Sequence, residues 1–316
     1  MLIKGGDWFV DGATAIARRF KLPDLLIGAT VVSIGTTLPE VMVSATAAMQ
    51  GSSEMAYGNA IGSIICNTAL IAAISIAVKP TKINRKNMIL PVAFFTLAAI
   101  IYATTAYLGG HFTRGIGITL LVIFVVYMVS LVIQMLNVKN RPEEKAKQAD
   151  EPLEIEEAKE PILKSLLLLI LGAVVIALGA DLLVDNGIII AEYLGVPETV
   201  ISLTFVALGT SLPELVTAIT ALSKGHGALS VGNILGANLF NLVFVSGIAI
   251  SILPFDVPAG NTIGGVSASL AVDIPVMIAV MAIMVIPALM RHTLSRLQGF
   301  LLLAIYAGFC VFQFAL

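Results

Sequence analysis

The sequence predicts an all-α polytopic membrane protein with ten transmembrane helices arranged as two inverted five-helix repeats. Three observations support that reading. Apolar residues make up 58% of the 316-residue chain and charged residues only 12%, against about 45–50% and about 25% in soluble proteins. Nine apolar runs, near 22–49, 55–78, 88–109, 113–136, 162–191, 199–222, 228–253, 266–290 and 296–316, are long enough to span a bilayer. Residues 5–71 also match residues 179–245 without a gap. The short alternating segments of a porin-type barrel are absent. A net charge of −2 leaves no basic field for nucleic acid.

The segment MLIKGGDWFVDGATAIA is poorly apolar but supplies the first of the ten helices, with the nine runs following as helices 2–10. Residues 161–174, the start of helix 6, have no counterpart ahead of Met1, so helix 1 is expected to be N-terminally truncated. Gly, Pro and Asn interrupt helices 2, 3, 7 and 8, which are therefore expected to be discontinuous. The stretch 137–161, dense in Glu and Lys, reads as a solvated linker between a first repeat, 1–136, and a second, 162–316. No cleavable signal peptide is recognisable. Cys66 and Cys310 lie in apolar stretches and read as small buried hydrophobes.

Of the 18 Lys and Arg residues, only Lys4 and Arg114 fall outside the loops that follow odd-numbered helices. The positive-inside rule makes those loops, the linker included, cytoplasmic, with both termini facing outward across the plasma membrane. Adding 174 converts Asp7 to Asp181, Asp11 to Asp185, Pro23 to Pro197 and Asn59 to Asn233. Five helices per repeat is an odd number, so the second repeat runs upside down. Charge agrees, since Arg18 and Arg19 map to Glu192 and Tyr193, while Gln50 maps to Lys224.

The same shift superposes GTTLPE (35–40) on GTSLPE (209–214), which places Glu40 and Glu214 at membrane depth. A carboxylate there costs several kcal/mol unless it is paired, neutralised or coordinated to a cation. Pro39 and Pro213 cannot hydrogen-bond the carbonyls four residues earlier, those of Gly35 and Gly209. Those carbonyls, the hydroxyls of Thr36, Thr37, Thr210 and Ser211, and the two carboxylates are all oxygen ligands. The downstream segments GNAIGSIICN (58–67) and GNILGANLFN (232–241) put Asn59 and Asn67, and Asn233 and Asn241, about two helical turns apart on one face. Ser63 lies midway, whereas its counterpart Ala237 offers no ligand. Gly58, Gly62, Gly232 and Gly236 form patterns that let helices approach closely. Hard oxygens around two carboxylates suit Ca²⁺ and can also hold Na⁺. His111, His226 and His292 fall in or near loops, so softer metals are disfavoured. For the repeat-related acids Asp7, Asp11, Asp181 and Asp185, snorkelling or helix-end contacts are expected, with a gating role as the alternative.

The duplicated G-T-[ST]-L-P-E with downstream G-N-x-x-G resembles the sodium/calcium exchanger family of the cation/calcium antiporter superfamily, prokaryotic type, over nearly the whole chain. The resemblance implies ten helices around one cation site. Glu40 and Glu214 would be central Ca²⁺ ligands, Thr36 and Thr210 would add backbone carbonyls, and Thr37, Ser211, Ser63 and Asn67 would line Na⁺ positions. It departs at Asn241, where many members have aspartate, and at Ala237, where they have serine. The expected function is Ca²⁺/Na⁺ antiport by alternating access, with Ca²⁺ and Na⁺ as cargo and no cofactor. Helix 1 and its repeat mate helix 6 are expected to slide as the gate. H⁺/Ca²⁺ or K⁺-dependent antiport through the same glutamates is the alternative, and a channel or an intramembrane enzyme is more remote.

Overall fold

The computed structural model describes residues 1–20, 22–140, 161–193, 207–258 and 262–315. Its helices are α1 (Leu2–Phe20), α2 (Asp24–Met49), α3 (Ser53–Val78), α4 (Arg85–Gly109), α5 (Arg114–Asn140), α6 (Ile162–Tyr193), α7 (Ala207–Thr210 and Leu212–Ser223), α8 (Gly227–Ile252), α9 (Ser269–Arg291) and α10 (Arg296–Ala315). All of these except α1 and α7 contain a stretch long and apolar enough to cross a bilayer. The exception in α1 comes from Lys4, Asp7, Asp11, Arg18 and Arg19. Residues 199–206, the expected start of helix 7, and most of the linker lie outside the described residues. α5 runs to Asn140, into the stretch expected to be linker.

The expected interruptions take two forms. α7 breaks at Ser211. α2, α3 and α8 remain helical but pass through wider π turns at Gly28–Val32, Asn67–Ala72 and Asn241–Val245. The last two are related by the 174-residue shift. Such turns loosen the hydrogen-bond ladder, and serines repair it: Ser33 Oγ donates to the Gly28 carbonyl at 2.7 Å and Ser246 Oγ to the Asn241 carbonyl at 3.0 Å. Pro39 is carried inside α2 without a break.

The inverted repeat is visible in pairs of contacts. A strand in the α3–α4 loop, β1 (Thr81–Lys82), pairs with one in the α9–α10 loop, β6 (Thr293–Leu294). The repeat-related loops supply β2 (His111–Phe112) and β3 (Phe255–Asp256), which pair in the same way. Two further strands, β4 (Thr262–Ile263) and β5 (Val266–Ser267), form a hairpin ahead of α9. The turns α2–α3 and α7–α8 both reverse at a left-handed glycine, Gly51 at φ 81° and Gly225 at φ 85°. Each closes with the same two bonds: Ser52 N–H to Ala47 and Gly51 N–H to Ala48, then His226 N–H to Ala221 and Gly225 N–H to Leu222.

With lipid as solvent, helices associate by close packing of small residues. α1 and α6 cross antiparallel, with the Gly12 Cα side against Leu169 and Ser165 and Gly5 against Ile176. Phe9, Val10, Ala13 and Leu169 centre a second apolar cluster, which Ile27 and Val32 of α2, Ala221 of α7 and Leu229 of α8 also join. The main core joins α3, α4, α5, α8, α9 and α10 with Leu25 and Leu26 of α2 and Ala218 of α7, and has Phe124 stacked on Phe244 and Tyr102 against Phe112. The π turn of α2 lies on α8, where Gly28 meets Leu229 and Asn233, Gly232 meets Leu25, and Gly236 meets Ala29 and Ser33. Gly58 and Gly62 meet no neighbour among the described residues. The repeat counterparts of Leu25 and Ala29 are residues 199 and 203, outside the described set.

Candidate functional site

α2, α3, α7 and α8 bring together the two sequence motifs. Glu40 and Glu214 are both fully buried. Neither Glu40 oxygen has a hydrogen-bond partner, and neither does Oε2 of Glu214. Oε1 of Glu214 accepts from Thr37 Oγ1 at 3.4 Å. Around them, Ser63 Oγ, Ser211 Oγ and both amide atoms of Asn67 and of Asn241 are likewise buried without partners. A desolvated carboxylate or amide left unbonded costs several kcal/mol. So many orphaned oxygens in one place fit a desolvated hard cation as their shared partner.

The remaining polar residues brace the site. Thr36 Oγ1 donates to Asn233 Oδ1 at 3.2 Å, and Thr210 Oγ1 to Asn59 Oδ1 at 3.3 Å. These two bonds exchange under the 174-residue shift, so each motif helix is tied to the GN helix of the other repeat. Asn59 Nδ2 also donates to the Glu40 carbonyl at 3.1 Å and to Ser44 Oγ at 2.8 Å. Asn59 and Asn233 thus hold the frame, each accepting through its amide oxygen from the motif helix of the other repeat. Gly35 and Gly209, half-buried, precede the prolines that cannot bond their carbonyls. Among the described residues no group of three His, Cys, Asp or Glu side chains converges on a metal position. The buried oxygens gathered here belong to two carboxylates and to neutral hydroxyls and amides.

Ser33, Asn238 and Thr68 escaped the sequence reading. Ser33 Oγ donates to the Asn233 carbonyl at 2.9 Å, and Asn238 Nδ2 to Thr68 Oγ1 at 2.7 Å. Their repeat mates are Ala207, Ile64 and Leu242, so a search for duplicated polar residues passes over them. Asp7 and Asp11 sit in the body of α1, paired with Lys224 at the C-terminal end of α7. The side chains of Asp181 and Asp185 lie outside the described residues. Cys66 is buried and accepts from Tyr306 OH at 3.9 Å, while Cys310 is half-exposed, contrary to expectation; both are free thiols.

Comparison with known proteins adds four findings. The family described as sodium/calcium exchanger protein matches residues 1–133 and 164–315. The chain is 30% identical to the sodium/calcium exchanger MaX1 of Methanosarcina acetivorans, over 99% of this chain and 95% of that one. It is 32% identical to the putative antiporter CaxA of Alkalimonas amylolytica, over 98% and 94%. Among solved structures, the sodium-calcium exchanger NCX_Mj soaked with 10 mM Na⁺ and zero Ca²⁺ superposes with a TM-score of 0.76 at 30% identity, covering 97% of this chain and 93% of that one.

Proposed function

This chain belongs to the sodium/calcium exchanger protein family, and from that premise we propose that Glu40 and Glu214 form one site that Ca²⁺ and Na⁺ occupy in turn. The protein is a multi-pass membrane antiporter, not an enzyme, with the two ions as its cargo and no cofactor. The observation that supports the site is the buried cage itself: three of the four carboxylate oxygens, with Ser63, Ser211, Asn67 and Asn241, lack any protein partner. Glu40, Glu214 and the Gly35 and Gly209 carbonyls would hold Ca²⁺. Thr37, Ser211, Ser63, Asn67 and Asn241 would line the Na⁺ positions, and Thr36 and Thr210 would contribute carbonyls while their hydroxyls brace the frame.

Exchange follows from charge. An empty site leaves two carboxylates desolvated, so a conformational crossing without cations is disfavoured and leak is suppressed. Cations of either kind neutralise the site, and the occupied carrier exposes it first to one side and then to the other. The division into repeats 1–136 and 162–316, the cytoplasmic linker 137–161 and the outward-facing termini are part of the same proposal, resting on the distribution of basic loops.

The test is Ca²⁺ uptake into proteoliposomes under Na⁺, K⁺ and pH gradients imposed one at a time. A Na⁺ gradient is expected to drive uptake. Uptake driven by protons alone would replace Na⁺ with H⁺ in the reading. The observation that keeps protons in view is Asn241, which leaves the second repeat one carboxylate short of many family members.

A further inference from the structure

The α7–α8 turn Lys224–Gly225–His226 makes two ties to the first repeat. Lys224 Nζ lies 2.7 Å from Asp11 Oδ1 and 3.3 Å from Asp7 Oδ1, and donates to the Asp7 carbonyl at 3.2 Å. His226 Nδ1 lies 2.7 Å from Asp24 Oδ2 at the start of α2. The repeat-related turn, Gln50–Gly51–Ser52, has the same backbone closure but no charged residue. The acids recur in both repeats as Asp7/Asp181, Asp11/Asp185 and Asp24/Glu198, whereas the cationic partner occurs in one turn only.

α1 is placed to make such a tie matter. It shares an apolar cluster with α6 and with the facing ends of α2, α7 and α8. Toward α7 it presents Gly6, opposite Val216 and Thr220, and toward α2 it lays the Phe9 ring on Gly35 of the first motif. At Gly6 and at Gly35 one partner of the contact has no side chain to resist sliding. Beneath the turn, Thr217 on α7 and Ser230 on α8 are buried with unpartnered hydroxyls, about one helical turn from Glu214 and Asn233. Their repeat mates, Val43 and Ala56, are apolar. A polar route from the site thus leads toward the tied turn.

We propose that Lys224 is an ionic latch: it fastens α1 to the α7–α8 turn and holds closed the route to the site on the face that carries the basic loops. The proposal rests on the alternating-exposure reading above. Because the opposite turn has no cation, the latch stabilises one of the two exposures over the other and sets their ratio. Partly exposed ion pairs are weak enough to break in each cycle.

The experiment uses the full-length protein in lipid nanodiscs, lacking Cys66 and Cys310 and spin-labelled at Ile3 of α1 and Ile219 of α7. Lys224→Gln is expected to raise the minor population of the label–label distance distribution about two- to fivefold, the size of a partly exposed ion pair. Lys224→Arg should keep the original distribution. The charge swap Lys224→Asp with Asp11→Lys should restore it relative to Lys224→Asp alone, which guards against a mere folding defect. An unaltered distribution in Lys224→Gln, or a swap that restores nothing, overturns the latch. The distance readout needs no flux: if Na⁺ drives no Ca²⁺ uptake but Lys224→Gln still shifts the distances, the exchange reading falls and the α1–α7 tie stands. If uptake is present and the distances are unmoved, only the latch falls.

Discussion

GTTLPE and GTSLPE differ at one position, yet the two copies adopt different backbones. The first lies within a continuous helix, with Pro39 absorbed and Glu40 in mid-helix. The second breaks at Ser211, so that Glu214 stands in the first turn of a new helix with Ser211 at its N-cap. Serine is favoured at that position, but this one makes no capping bond, and its oxygen remains available. The side chains diverge too. Thr37 donates to Glu214, while the mirror-image bond from Ser211 to Glu40 is not made. Asn59 braces the Glu40 carbonyl, and its mate Asn233 leaves Nδ2 unpartnered. Proline therefore permits a break without dictating one. A carrier built from inverted repeats faces one side at a time, and it does so by holding like sequences in unlike conformations.

Substitutions in matched pairs test how far that asymmetry reaches. The largest effect is expected at the carboxylates. Glu40→Gln and Glu214→Gln should each cut Na⁺-driven Ca²⁺ uptake about 150- to 5,000-fold, because removing the carboxylate partner of a buried cation costs about 3–5 kcal/mol. Equal losses would show that the two unlike backbones serve one site, and retained uptake in either variant would break it. Next comes packing. Gly236→Ala would drive a methyl into Ala29, whose Cα would lie 2.8 Å away. It should lower stability by about 1–3 kcal/mol, read as a lower unfolding midpoint in detergent. Gly62→Ala, its repeat mate, should cost the same only if the start of helix 7 packs there as α2 packs on Gly236.

The cross-repeat braces should give a smaller change. Thr36→Val and Thr210→Val each remove one hydrogen bond worth about 0.5–1.5 kcal/mol, so apparent Ca²⁺ affinity should fall about 2- to 12-fold in both. A loss confined to one would mean that only one brace persists through the cycle. The smallest is expected from Ala237→Ser, which restores a hydroxyl opposite Ser63. A sharper Na⁺ activation of uptake, by less than about tenfold, would mark that position as part of a Na⁺ pathway.

Much of this was legible because duplication doubles every signal. Glu40 and Glu214, the glycines before the prolines and the paired GN segments all surfaced from one shift of 174 residues. What lacked a repeat mate went unseen: Asn238 against Ile64, Ser33 against Ala207, Thr68 against Leu242. The bracing bonds of Asn59 and Asn233 were hidden for a different reason. Spacing shows that an amide lies on the same face as Asn67 or Asn241, but not which hydroxyl reaches it from across the bundle. The partner of Asp7 and Asp11 was likewise hidden, because Lys224, more than 200 residues away, is no neighbour in sequence.

The sequence by itself determined the solvent, the helix count, the inverted repeat and the chemical type of the site, because hydropathy, parity and the cost of buried charge are properties of the chain. Tertiary structure alone decided which oxygens are spent on framing and which stay free, where the ladder widens into π turns or breaks, and which acids Lys224 reaches. Those choices depend on contacts between helices that meet only in the folded bundle, where two copies of one motif meet different neighbours.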